Sequence, residues 1–580
     1  MAHEGSTDAE PGGTRRDVLR AAGAASLCGA VATLLADGAM AEEVAPEPTS
    51  RSKPFAADGT DDDGTTFSHS VASGDPTPSG VVLWTRVHPE AYDPDVPLGV
   101  EVAADEEFTE VAYRGVVEPS AIDPADDYAV KAELDGELPD DSRLYYRFVY
   151  DGVRSRVGRC RTLPEPTDTP EKLSLAVVTC QDFRNGYYGA FARVADEEVD
   201  FLVHLGDLIY EYAGESEYVG RDVALPSGKS VAHGLEDFRY LHRRYRSDRH
   251  LRRALERHTL VAIWDDHEIV NNRYWDYEED RPYAGPGDHP RNDEPEFMRR
   301  LHAEGIKAWW EYVPARVGYD PDADHLLDVF ELRRTLRFGD LADLVLTDER
   351  LFRSDPGGDV LGETGRADPG ERDDADRTML GSEQRQWFVN EIAGSEATWT
   401  VWANEVLNAA LKAGTSEATF YLNHDAWDGF EHERRHIMGE LDRNGVENFV
   451  ALTGDMHSYV AGYLQHDYET LAPLQERLGV EFMTPAVTSA NLKEVLGLPG
   501  GRAEEEAIEA TVRSQNPHVE FFNSHRWGYS VVEFTPDDCT YRAYSVDKSV
   551  DAADAPRELL RVLRVPSGEY EIHDETDDPL

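Results

Sequence analysis

Apolar positions along the chain follow two regimes. Between residues 67 and 162 they come in short runs, at 80–86, 98–102, 129–132 and 144–150, separated by turn residues. In the last run a two-residue period puts Tyr146, Phe148 and Tyr150 on one face and Arg147 on the other, the pattern of a half-buried strand. No long helical period interrupts this region, which predicts a small β-sandwich. Beyond a proline-rich connector at 163–170, compact apolar strands at 173–179, 201–205, 344–347, 399–402 and 449–452 alternate with helical stretches at 236–257, 295–312 and 383–393. Strands alternating with helices predict a layered α/β body. Runs at 528–534 and 540–544 add a late antiparallel pair. Polar excursions at 277–294 and 354–377 are expected on the surface near strand ends.

These patterns divide the chain into five parts. A leader occupies 1–41 and an acidic, proline-containing linker 42–66. The β-sandwich takes 67–162, the α/β body 171–545, and an acidic C-terminal extension, partly disordered, 546–580. In the leader, Arg15-Arg16 stands just before a small, apolar run, and Ala39-Met40-Ala41 precedes Glu42. This predicts twin-arginine export, cleavage after Ala41, the export machinery as a partner, and an extracellular or cell-surface location. No later stretch is long and apolar enough for a transmembrane span.

Charge changes the picture further. The 114 acidic and 57 basic residues give a formal net charge of -57, while 40% hydrophobic residues still supply a core. Such a surface disfavours a stable nucleic-acid partner. It fits a protein of concentrated salt, where screening shortens the repulsion, and hence a halophilic, archaeon-like source. A monomer is expected. Past the leader, Cys160, Cys180 and Cys539 are too few for a disulfide scaffold.

Candidate chemistry sits where the predicted strands end. Cys180 follows one strand and Asp207, after Gly206, another. Asp265, Asp266 and His267 follow Ile263-Trp264, and Asn404 follows Trp402-Ala403. Asp455 and His457 close the run at 449–452. Individually, Cys180 reads equally as a core thiol, Asp207 as a helix cap and Tyr210 as core packing. Together they are a donor set able to hold two adjacent cations at a sheet edge.

Read in order, Cys180, Gly206-Asp207-x-x-Tyr210-Glu211-Tyr212, Trp264-Asp265-Asp266-His267-Glu268 and Gly454-Asp455-x-His457 resemble the alkaline phosphatase D (PhoD) family of calcineurin-like metallophosphoesterases. The segments 69–76 and 81–86 share in the likeness, which runs from about 67 to 544. The resemblance implies an immunoglobulin- or fibronectin-like N-terminal domain and a four-layer αββα metallophosphoesterase sandwich. It implies Fe(III) with one or two Ca2+, iron being held by Cys180, Asp207, Tyr210 and His457. Asp207 would bridge to calcium, with Asp266 and Asp455 as further ligands; Asp266 stands where the superfamily usually carries asparagine. His267 would serve catalysis beside the leaving group. Arg184, Asp265, Asn271, Asn272, Asn404, His424 and Asp428 are candidates for supporting these ligands or meeting substrate.

The implied activity is that of an exported phosphatase cleaving phosphate monoesters with metal-activated water, with some action on diesters. Alternatives are a phosphodiesterase or phospholipase D-type enzyme, and a secreted binding protein merely stabilised by metals.

Overall fold

The computed structural model describes residues 54–577 apart from 56, 58, 62, 217, 358–371, 416–417 and 469–475. The expected leader at 1–41, much of the linker and most of the excursion at 354–377 lie outside those residues. Among the described residues no helix is long and apolar enough to cross a membrane.

Two sheets form the α/β body. At the centre of a ten-stranded sheet, Leu173–Val178, Phe201–Leu205 and Thr259–Ile263 run parallel. In a seven-stranded sheet the parallel strands are Ala342–Leu346, Trp399–Ala403, Phe449–Thr453 and Arg477–Met483. Each central strand is buried on both faces, as its near-continuous apolar sequence requires. The sheets pack face to face: Phe201 meets Phe338 edge-on, and Phe482 stacks on Tyr541 with ring centroids 4.7 Å apart. Helices Gly189–Val194 and Arg249–Arg257 lie on the first sheet, and Gly381–Gly394 and Glu431–Asn444 on the second.

Three features depart from the sequence pattern. The helix expected over 236–257 is two helices, Leu235–Arg246 and Arg249–Arg257. Asp248 breaks it, because its carboxylate caps the second helix by accepting from the backbone N–H groups of His250 and Leu251. At the other end of the chain, Arg557–Pro566 pairs along Asp538–Val546 and His573–Asp574 pairs with it in turn. The region read as an acidic extension therefore widens the main sheet.

The third departure concerns residues 67–162. A six-stranded sheet built on Leu98–Ala103, Val111–Val117 and Arg143–Tyr150 faces the strands Val71–Thr77, Gly80–Arg86 and Ala129–Glu133 across one apolar core. Tyr146, Phe148 and Tyr150 point into that core, while Arg147 pairs with Glu101 at 2.7 Å on the other face. The second layer is continuous with the main body, because Gly74 pairs in parallel with Leu260. A Cβ at position 74 would lie 2.0 Å from Pro314 O, so only glycine permits this join. The mixed topology differs from a separate β-sandwich. Cys160 and Cys539 are free and buried in different cores.

Candidate active site

The carboxyl ends of the parallel strands from both sheets converge, the place where open α/β sheets bind ligands. Cys180, Asp207, Asp455 and His457 stand there with φ of 54°, 61°, 67° and 55°. For residues other than glycine such angles cost roughly 1–3 kcal/mol each and persist where surrounding structure fixes them. Gly206, at φ 98°, lets the Asp207 turn approach the neighbouring loop; a Cβ there would fall 2.5 Å from Asp265 Cβ. Glu268 ties the same two loops together. Its carboxylate accepts from Leu208 N at 2.5 Å and Asp265 N at 2.7 Å, and burial raises its pKa to about 7.

Two donor groups result, with Asp207 in both. Ligand-capable atoms of Cys180, Asp207 and His457 lie within 4.8 Å of one another, as do those of Asp207, Asp266 and His267. Tyr210 belongs to the first group, since its hydroxyl donates to Asp207 Oδ2 at 2.6 Å and lies 3.3 Å from His457 Nε2. Ser489 Oγ is 2.6 Å from the same phenol oxygen. His457 Nδ1 donates to Ala490 O at 2.6 Å, which leaves Nε2 as the lone-pair nitrogen facing Tyr210.

These residues fit metal ions. Asp207 Oδ1 is buried without a hydrogen-bond partner. Burial, reinforced by Asp207 and Asp265, pushes the Cys180 thiol well above its ordinary pKa. Burial likewise holds the Asp207 carboxyl well above its usual range, with His267 opposing and Asp265 and Asp266 adding to the rise. A cation relieves all three penalties by stabilising the deprotonated forms. Thiolate, phenolate and imidazole beside carboxylate suit a transition metal, whereas a carboxylate-rich neighbour suits a harder ion.

His267 is oriented by a residue the sequence reading quoted but did not assign. Glu211 is fully buried, 2.7 Å from His267 Nδ1, and accepts from Asn271 N at 2.8 Å. Burial disfavours an imidazolium here, yet Glu211, Asp266 and Asp207 outweigh it and hold the His267 pKa well above the ordinary value. Burial also opposes ionisation of Asp266, but Arg350 and His267 keep its carboxyl below the usual range. Its Oδ2 accepts from Asn272 N at 2.6 Å.

The other expected residues separate by partner. Asp265 is bound to Arg350 and lies outside both donor groups. Asp455, expected as a calcium ligand, also lies outside them. Its Oδ1 is 2.9 Å from Arg350 Nη2, and its Oδ2 accepts from Asn423 at 3.2 Å. Arg184 pairs with Asp182 at 3.3 Å and sits over the Tyr212 ring, which meets His267 edge-on. Asn271 donates to Asp288 at 2.9 Å. Asn404 uses its Oδ1 to accept from Val406 N at 3.0 Å, and its Nδ2 is buried without a partner. His424 has a buried, unpartnered Nδ1. Asp428 is committed to Arg434 at 2.8 Å and Leu411 N at 3.0 Å, so it braces its own loop.

Arg350 is the largest omission from the sequence reading. Fully buried, it reaches Asp265, Asp425 and Asp455 with three different nitrogens, and Arg353 adds a second contact to Asp425 at 2.8 Å. Arg350→Met is expected to cost about 3–5 kcal/mol, since it leaves three buried carboxylates short of their cation. The check is the unfolding temperature at fixed metal content; an unchanged value would mean that these acids do not depend on Arg350.

Comparison with known proteins gives the same assignment over most of the length. Residues 175–543 match the family "PhoD-like phosphatase", and residues 53–164 match "PhoD-like phosphatase, N-terminal domain". The chain is 33% identical over 478 residues to "Alkaline phosphatase D" of Bacillus subtilis (strain 168), covering 81% of this chain and 76% of that protein. It also resembles a solved structure titled "Structure of PhoD", with a TM-score of 0.74 and 29% identity over 88% of this chain and 92% of the other. A metal-capable pair of donor groups at the carboxyl ends of two packed sheets, matched family by family along the chain, places this protein in the PhoD-like phosphatase family.

Proposed function

We propose that the protein is a metal-dependent hydrolase of phosphate monoesters, with some action on diesters. The observation that carries this reading is Asp207, whose carboxylate belongs to both donor groups and so can join two cations. Cys180, Asp207, Tyr210 and His457 would hold Fe(III). Asp207 and Asp266 would hold calcium, and Asp455 would join them on exchanging Arg350 for the ion. When bound, such cations make water a stronger nucleophile and offset charge on the phosphate oxygens.

The chain's own residues supply the remaining work. Glu211 holds His267 through Nδ1, so that its imidazole, when protonated, is oriented to give a proton to the departing oxygen. Ala490 O fixes the His457 tautomer, and Glu268 holds the loops of Asp207 and Asp265 in register. Arg184, placed over the Tyr212 ring that meets His267, is a guanidinium that would offer a phosphate oxygen a partner.

Export by the twin-arginine route, a monomeric state and adaptation to concentrated salt belong to the same reading, supported by the leader sequence and the net charge of -57. Two sheets around one core support an immunoglobulin- or fibronectin-like origin for residues 67–162. A substrate panel of monoesters, diesters and phospholipids, run on metal-quantified protein across a desalting series, tests the reading. The expected outcome is phosphate release fastest from monoesters and lost on desalting. Preference for diesters or phospholipids would move the enzyme to its alternative class, and activity indifferent to salt would reject the halophilic reading.

A further inference from the structure

Beneath the loop that carries Asp207 and Tyr210 lies a cavity of about 20 Å³, lined by apolar residues and by Gln181, His204, His242, Tyr245 and Arg246. Its volume admits a small species the size of a water molecule or a monatomic ion. His242 and Arg246 stand one turn apart on helix Leu235–Arg246 and so share a face, while His204 comes from the central strand Phe201–Leu205.

Arg246 is 5% exposed. Its Nη2 donates to the carbonyl of Tyr312 and its guanidinium lies 4.1 Å from the Trp84 ring centroid. Its Nη1 is buried with no partner; the phenols of Tyr312 and Tyr146 favour its charge, while Lys131, His69 and His242 also lie within electrostatic reach and none of the three supplies a negative charge. Arg350 and Arg434, also fully buried, each meet a carboxylate, whereas Arg273, stacked on Trp264, shares with Arg246 the lack of one among the described residues. An arginine does not readily shed its proton to escape burial, so a counter-charge nearby lowers the cost of burying it.

The polar atoms around the cavity favour an anion. Both ring nitrogens of His204 and Nε2 of His242 are buried without partners. Each neutral imidazole can turn one N–H toward the cavity, which adds two neutral donors to the charged one. Against them stands one acceptor, the unpartnered Oε1 of Gln181, whose Nε2 donates to Leu208 O at 2.6 Å. Donors outnumber acceptors, and the one full charge is positive.

We propose that this cavity is a monatomic-anion site, occupied by chloride, in which Arg246 is the counter-ion and His204 and His242 donate. The anion would brace strand Phe201–Leu205 against helix Leu235–Arg246, and through Leu208 and Ile209 the loop bearing Asp207. It takes no part in bond breaking.

The test uses full-length, metal-loaded protein. Crystals grown with bromide in place of chloride should show an anomalous peak beside Arg246 Nη1. Thermal unfolding should rise saturably, on the order of a few degrees, with chloride or bromide but not with gluconate at equal ionic strength. Arg246→Met should remove that halide-specific rise. A cavity holding water alone, stabilisation equal for all three anions, or a halide rise that survives in Arg246→Met would each overturn the proposal. Should Arg246→Met fail to fold, the bromide map of the unaltered protein decides the question.

Discussion

Asp207→Asn is expected to lose hydrolysis by well over 100-fold and to lose both kinds of metal. The substitution keeps the side chain's shape but removes its charge and one acceptor oxygen. Asp207 uses Oδ2 to accept from Tyr210 and keeps Oδ1 without a hydrogen-bond partner, and its carboxylate belongs to both donor groups. An amide cannot serve both sides, because its nitrogen donates. Residues that merely orient a ligand typically cost 10–100-fold when changed, and a shared ligand should exceed that. Metal analysis and circular dichroism of the same preparation separate site loss from misfolding. Near-normal turnover in a folded Asp207→Asn protein would remove the bridging role.

His457→Ala is expected to deplete iron while leaving the fold intact, and to abolish turnover of monoesters and diesters together. The reason is position. His457 Nε2 faces Tyr210, and its atoms lie with those of Cys180 and Asp207, whereas His267 is held against Glu211. Loss of a residue that supports the metal lowers every reaction at that centre by the same factor. A variant that keeps its iron but loses one substrate class would make His457 a specificity residue instead.

How far the sequence carried these readings follows from the range of the forces involved. Helix Pro295–Tyr312 and strands Phe201–Leu205 and Gly528–Phe534 fall where the local pattern puts them, since the helix's spacing defines its buried face and the strands' apolar runs call for burial. The break at Asp248 was hidden because a single capping carboxylate interrupts an otherwise helical pattern. The pairing of Gly74 with Leu260 was hidden because no local period encodes a join between segments so distant in sequence.

The candidate site divides the same way. Cys180, Asp207 and His457 were legible as chemically distinctive residues ending apolar strands, whereas the choice of Asp266 over Asp265 rested on the family resemblance. Glu211 reaches His267, Glu268 reaches the backbone of Leu208, and Ser489 reaches Tyr210, each across segments, and only the structure shows these pairings. Arg350 follows strand Ala342–Leu346 in the same strand-end pattern. A search for lone-pair donors passes over a cation, although the buried acids around it demand one.

Phosphate release from a simple monoester, measured before and after removal of metals, bears most directly on the central claim. The protein should lose activity in step with its metal content and keep its fold. Activity should return with Fe(III) and Ca2+ together, and not with either alone. Hydrolysis at the original rate by folded, metal-free protein would contradict the account.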